Sequence, residues 1–157
     1  MLIEANGLSL YVEEHGSADG VPVILLHGFP DPARLWRNQV PFLAERGFRV
    51  IVPDLRGYGR SDRPEDVAAY RLSNAVADVT AILDALGVQK AHVVGHDWGA
   101  AVAWLTATLC LDRVGKLVVL SVPHLLVPPT IRQQEMAWSD GRVGVGLAAR
   151  RLFVLAC

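Results

Sequence analysis

The sequence predicts an α/β protein built on a mostly parallel sheet, and three observations carry that prediction. Short strand-like runs alternate with longer helical stretches, the order in which parallel strands and right-handed crossover helices follow one another. The run Val21-Pro22-Val23-Ile24-Leu25-Leu26 is continuously apolar rather than alternating, as in a strand covered on both faces. Three strand ends each lead into a glycine-containing loop: His27-Gly28-Phe29-Pro30, Asp54-Leu55-Arg56-Gly57-Tyr58-Gly59-Arg60-Ser61 and Gly95-His96-Asp97-Trp98-Gly99. In open α/β sheets that carboxyl edge is where ligands bind.

The elements follow in order. Residues 2–5 and 8–12 read as an antiparallel hairpin, because Asn6-Gly7 between them is a favoured two-residue turn. A strand over 22–27 comes next. A helix from about Ala33 to Arg46 should stop before Gly47. A strand at 48–53 and its glycine-rich loop lead to a helix at about 73–86. Ser73 or Asn74 would cap it, Gly87 would end it, and Val76, Val79, Ile82, Leu83 and Leu86 share one face. A strand at 91–94, a helix at 98–111 and a strand at 116–121 complete the series. Neither an internal repeat nor a low-complexity linker interrupts it.

Composition narrows the functional classes. Of 157 residues, 52% are hydrophobic and 20% charged, which suits a packed core and argues against disorder. A net charge of −1 offers no basic field for nucleic acid and no polybasic membrane patch. The two cysteines, Cys110 and Cys157, form neither a disulfide framework nor a metal cluster, so no metal and no cofactor are expected. The N-terminus lacks a basic segment followed by an apolar one, and the stretch 98–111 is short for a bilayer. The expectation is a cytoplasmic enzyme.

Gly95-His96-Asp97-Trp98-Gly99 carries the chemistry. Its spacing is that of G-x-S-x-G, a sharp strand-to-helix turn that lifts one side chain above the sheet edge. Here the raised residue is Asp97. A serine needs a base to remove its proton, whereas a carboxylate with an ordinary pKa near ~3.9 is already ionised at neutral pH. The predicted chemistry therefore shifts from acyl transfer to displacement at a saturated carbon. Glycines on both sides permit a strained turn, and the helix starting at Trp98 favours negative charge at its N-terminus. The plain alternative is an Asp that merely caps that helix.

Together these motifs resemble the α/β-hydrolase superfamily, and the Asp nucleophile with Phe-Pro after His-Gly resembles its soluble epoxide hydrolases. Ser121-Val122-Pro123-His124 and Arg132-Gln133-Gln134-Glu135-x-x-Trp138 are similar to the same family. The resemblance implies a small-molecule epoxide substrate, Asp97 as nucleophile, and an oxyanion hole from the backbone N–H groups of Phe29 and Trp98. His27, Gly28, Pro30, Gly95, His96 and Gly99 would support those motifs. Haloalkane dehalogenases also place Trp after an elbow Asp, but there the residue after His-Gly is usually Asn, which helps hold the halide. Phe29 has no side-chain donor.

The family continues with a helical cap carrying tyrosines, then further strands that supply an acid and a histidine base. The resemblance covers about residues 1–138, so a partial α/β-hydrolase core is expected there, lacking the cap and last strands. Residues 139–157 depart from the pattern as a separate tail open to disorder, as a frameshift or artificial end would produce. A catalytically inert fragment is thus a second reading. The histidines His15, His27, His92 and His96 read as structural or surface groups, and His124 does not match the family's base. Trp36, Trp104 and Trp138 read as packing residues. Asp54, Asp62 and Asp31 read as turn residues, and Asp78 as part of a solvated helix face. The sheet should end at the strand 116–121 with an unpaired edge open to self-association.

Overall fold

A computed structural model describes residues 1–122 and 152–155. Strands β1 (Leu2–Ala5) and β2 (Leu8–His15) form the expected hairpin, with Asn6 and Gly7 at φ 52° and 74° in its turn. Positive φ at both central residues matches the strand twist, which is why Asn-Gly suits the position. Strands β3 (Val21–Leu26), β4 (Phe48–Pro53), β5 (Ala91–His96) and β6 (Val114–Leu120) follow, with β7 at Leu152–Leu155. They assemble in the order β1-β2-β4-β3-β5-β6-β7. Strand β2 is antiparallel to its neighbours, and every other pair from β4 to β7 is parallel.

Helices α2 (Leu72–Ala85) and α3 (Trp98–Leu109) cover one sheet face. Their side chains, including Val76, Val79, Ile82, Leu83, Val102 and Trp104, join Leu10, Val12, Ile24, Leu26, Ile51 and Val93 in the main core. On the opposite face Ala33 and Trp36 pack with Val23, Leu25, Val50 and Val52.

The expected helix 33–46 is divided. Ala33–Trp36 is a 3-10 turn and only Gln39–Ala44 is α-helical, here α1. Pro41 is the reason: it lacks an N–H and its ring would strike the carbonyl four residues back, so it fits only in the first turn of a new helix. Helix α2 starts at Leu72 with Arg71 as its cap, not at Ser73 or Asn74. The Asn74 amide instead donates to the carbonyls of Ala68 (3.2 Å) and Ala69 (3.1 Å), tying the 3-10 turn Val67–Tyr70 to the helix. Gly87, at φ 67°, follows the helix end.

Two expectations are corrected. Asp78 is not solvated: it is buried against Arg56, which donates to it in bidentate fashion at 2.6 and 2.5 Å. The loop after β4 carries Arg56 beneath α2, where a buried guanidinium requires a carboxylate partner. Secondly, β6 does not end the sheet. Residues 152–155 pair with it in parallel, from Leu117↔Leu152 to Leu120↔Leu155. A bare edge presents unpaired N–H and C=O groups, and four consecutive apolar residues suit a strand that covers them.

His124, Arg132–Trp138 and the boundary at 138/139 lie outside the described residues. Among those described, no helix is long and apolar enough to cross a membrane. No cluster of three or more His, Cys, Asp or Glu among them could hold a metal. The described cysteine, Cys110, is a half-buried free thiol at the end of α3.

Candidate active site

Parallel pairing sets the site. Leu26 of β3 lies opposite Gly95 of β5, and His96 lies opposite Leu120 of β6, so the loops after these strands emerge side by side. Between β5 and α3 the chain turns on Asp97 alone, at φ 53° and ψ −120°. Non-glycine residues rarely hold such a backbone, and where they do a surrounding structure imposes it. That structure is a tight crossing of backbones. A Cβ on Gly95 would meet the carbonyl carbon of Gly99 at 2.6 Å, and one on Gly99 would strike the carbonyl oxygens of Leu26 and His27. Larger residues at either position would push α3 away from the sheet.

Asp97 does not cap α3 with its side chain. Its carbonyl, not its carboxylate, accepts the N–H groups of Ala100 (2.9 Å) and Ala101 (3.2 Å). The carboxylate reaches instead to the loop after β3, where the Phe29 N–H donates to Oδ1 at 2.9 Å. The helix-cap alternative is therefore excluded by geometry. Gly28 makes the contact feasible: a Cβ there would collide with Asp97 Cβ and lie 2.8 Å from the His96 carbonyl oxygen. The Phe29–Pro30 peptide is cis.

The electrostatics favour the carboxylate. The Phe29 N–H holds the Asp97 pKa below its ordinary value, with the Trp98 N–H and the charge of His96 acting in the same direction against a smaller effect of burial. Asp97 is only partly covered, while the rings of Phe29 (68% exposed) and Trp98 (57% exposed) stand open at the sheet edge. Of the two N–H groups expected at the site, that of Phe29 donates to the carboxylate, and Trp98 follows Asp97 at the start of α3.

His27 has a different place. It is fully buried, and its Nε2 accepts the Leu55 N–H at 2.8 Å, which leaves Nδ1 to carry the proton toward the Gly28 carbonyl at 3.1 Å. Burial lowers its pKa, so the ring is a neutral strut joining the ends of β3 and β4. Asp54 is a second strut. Its carboxylate accepts Ala33 N–H at 2.9 Å and Arg60 N–H at 3.0 Å, bonding a distant loop as well as its own. Asp62 bonds outside its loop, accepting the Ser9 N–H at 2.7 Å. Half-buried His96 has a buried Nδ1 with no hydrogen-bond partner among the described residues, as does His92.

One neighbour escaped the sequence reading. Tyr58 packs edge-on against His27, ring centroids 4.9 Å apart, and burial together with the Asp97 charge raises its pKa. It is thus a neutral phenol close to the carboxylate. Its position in the glycine loop after β4, at the same sheet edge, was the available signal.

The bend, the paired loops and the raised carboxylate make this edge the candidate active site. Residues 21–146 match the model of the α/β hydrolase fold family, and the chain belongs to that family. Its relatives point further. It is 48% identical over 132 residues to Epoxide hydrolase A of Mycobacterium tuberculosis, covering 82% of this chain and 41% of that protein. It is 43% identical over 130 residues to Epoxide hydrolase 2 of Siraitia grosvenorii, covering 83% and 40%. The crystal structure of Epoxide Hydrolase A from Mycobacterium thermoresistibile superposes with a TM-score of 0.78 at 42% identity, over 87% of this chain and 42% of that one. The chain thus spans about two fifths of the length of these relatives.

Proposed function

We propose that Asp97 is the nucleophile of an epoxide-opening hydrolase. The hydrogen bond from Phe29 N–H to Asp97 Oδ1 carries this reading. With Oδ1 held, Oδ2 attacks a ring carbon of the epoxide. The ring C–O bond breaks, its electron pair stays on oxygen, and that alkoxide takes a proton from solvent water, releasing hydroxide, to leave a hydroxyalkyl ester on Asp97. Oδ1 is then the ester carbonyl oxygen. In hydrolysis by water it gains negative charge, and the Phe29 and Trp98 N–H groups stabilise it there.

The first half-reaction needs no general base, because the nucleophile is already ionised. The second needs a group to activate water. Among the described histidines, His27 is occupied at Nε2 by the Leu55 N–H and at Nδ1 by the Gly28 carbonyl, which rules it out. The names of the relatives favour epoxides, and so does Phe29, whose side chain has no N–H to hold a departing halide.

Incubation of the chain with styrene oxide, followed by intact-mass measurement, tests the reading. One adduct per chain, absent from Asp97→Asn, is expected, with diol remaining below one equivalent. Absence of any adduct, or an adduct that survives in Asp97→Asn, overturns the assignment of the nucleophile. Diol well in excess of protein would place a water-activating base within these 157 residues.

A further inference from the structure

A cleft of about 720 Å³ lies between β2, the 3-10 turn Ala33–Trp36, α1 and the loop at Gly59-Arg60. Phe29, Asp97 and Trp98 do not line it, so it is separate from the site above. Its size is that of a small-molecule pocket. Val40, Pro41 and Ala44 of α1 give it one apolar wall.

Its charged groups are unevenly matched. Glu13 is engaged on both oxygens, by Arg60 at 3.2 Å and by His15 at 3.3 Å. Asp54 is satisfied by the Ala33 and Arg60 backbone N–H groups. Arg60 also stacks on the Tyr11 ring, 3.6 Å from its centroid. Arg34 and Arg37, by contrast, line the cleft with no ion-pair partner among the described residues. Arg34 lies in the 3-10 turn and Arg37 caps its end, the Arg37 N–H donating to the Arg34 carbonyl at 3.1 Å; residues three apart in such a turn lie on the same side. Two guanidinium groups so arranged, beside an apolar wall, match a planar or tetrahedral anion with a hydrocarbon body.

We propose that this cleft binds a small organic anion, its carboxylate or phosphate between Arg34 and Arg37 and its apolar body along Val40, Pro41 and Ala44. The proposal stands independently of the epoxide reading. Titration calorimetry of the full chain with octanoate, octyl phosphate and octan-1-ol tests it. Saturable one-to-one binding of octanoate or octyl phosphate is expected, and the tighter of the two identifies the headgroup. The alcohol should bind at least tenfold more weakly. The double variant Arg34→Gln/Arg37→Gln should lose at least tenfold in affinity, Arg34→Glu should abolish binding, and Asp97→Asn should change nothing. Both arginines are exposed, so these variants should keep the melting temperature of the parent. Absence of saturable binding by either anion overturns the proposal. So does alcohol binding of equal strength, indifference to the arginine variants, or loss in Asp97→Asn, which would put the probe in the other site.

Discussion

Asp97 joins two properties: a backbone at φ 53° and an ionised side chain facing a donor. The strain and the charge can be separated by substitution. Asp97→Gly and Asp97→Ala lose the same hydrogen bond from Phe29 and should both abolish adduct formation. Only the glycine variant removes the Cβ penalty at this φ, so even after the added freedom of the unfolded chain it should be the more stable of the two by about 1 kcal/mol. Asp97→Asn should leave the chemical-denaturation midpoint nearly unchanged and abolish the adduct equally. An Asp97→Gly variant no more stable than Asp97→Ala would mean that the bend is not strained. The pH dependence follows from the same contacts. Since the Phe29 N–H lowers the Asp97 pKa, the reactive carboxylate persists below the ordinary value of ~3.9. The rate of adduct formation should therefore be flat through neutral pH down to that value. A decline that begins near pH 6 would assign the titration to another group.

The struts between elements set the next scale. Arg56 and Asp78 form a buried bidentate pair that also gathers Asn6 from the β1–β2 turn, whose amide donates to Asp78 Oδ1 at 2.9 Å. Asp78→Ala leaves a guanidinium buried without its partner and should cost about 3–5 kcal/mol in urea denaturation. His27 and His92 act through pH, both with pKa values lowered by burial. Each is neutral in the fold but binds a proton more readily when unfolded, so stability is complete above the unfolded value near ~6.5 and falls as pH drops below it. The melting temperature should decline between pH 7.5 and 5.5, and the part of that decline surviving in His92→Val belongs to His27. What the sequence made legible was the local grammar: Asn6-Gly7 for a hairpin, Gly95 and Gly99 around a raised Asp97, continuous apolar residues for β3. It could not show Asp78 buried or Tyr58 near Asp97, because both depend on where the loop after β4 comes to rest. Pro41 was readable and would have divided the helix expected over 33–46, had its ring been set against the carbonyl four residues earlier.

At the scale of the whole molecule the question is where apolar surface remains uncovered. The edge of β6, expected to be bare, is paired with residues 152–155, so the open edge of the sheet passes to β7. Two further surfaces are open. Strand β1 is an edge strand of four residues with Met1 (56% exposed) and Leu2 (63% exposed) at its start. The carboxyl edge presents the Phe29 and Trp98 rings beside Asp97. An edge so short offers few backbone groups to a second copy. The two aromatic rings expose the larger apolar surface, of the kind that drives association when nothing covers it. Sedimentation velocity over a hundredfold range of concentration should therefore show self-association that Phe29→Ser/Trp98→Ser weakens and Leu2→Lys does not. The reverse result would make β1 the sticky surface, and a monomer throughout would mean that the rim is covered in solution. Styrene oxide should act as a second readout. By occupying the rim and esterifying Asp97, it should shift the distribution toward monomer in the parent chain and leave Asp97→Asn unaffected once the free epoxide is removed.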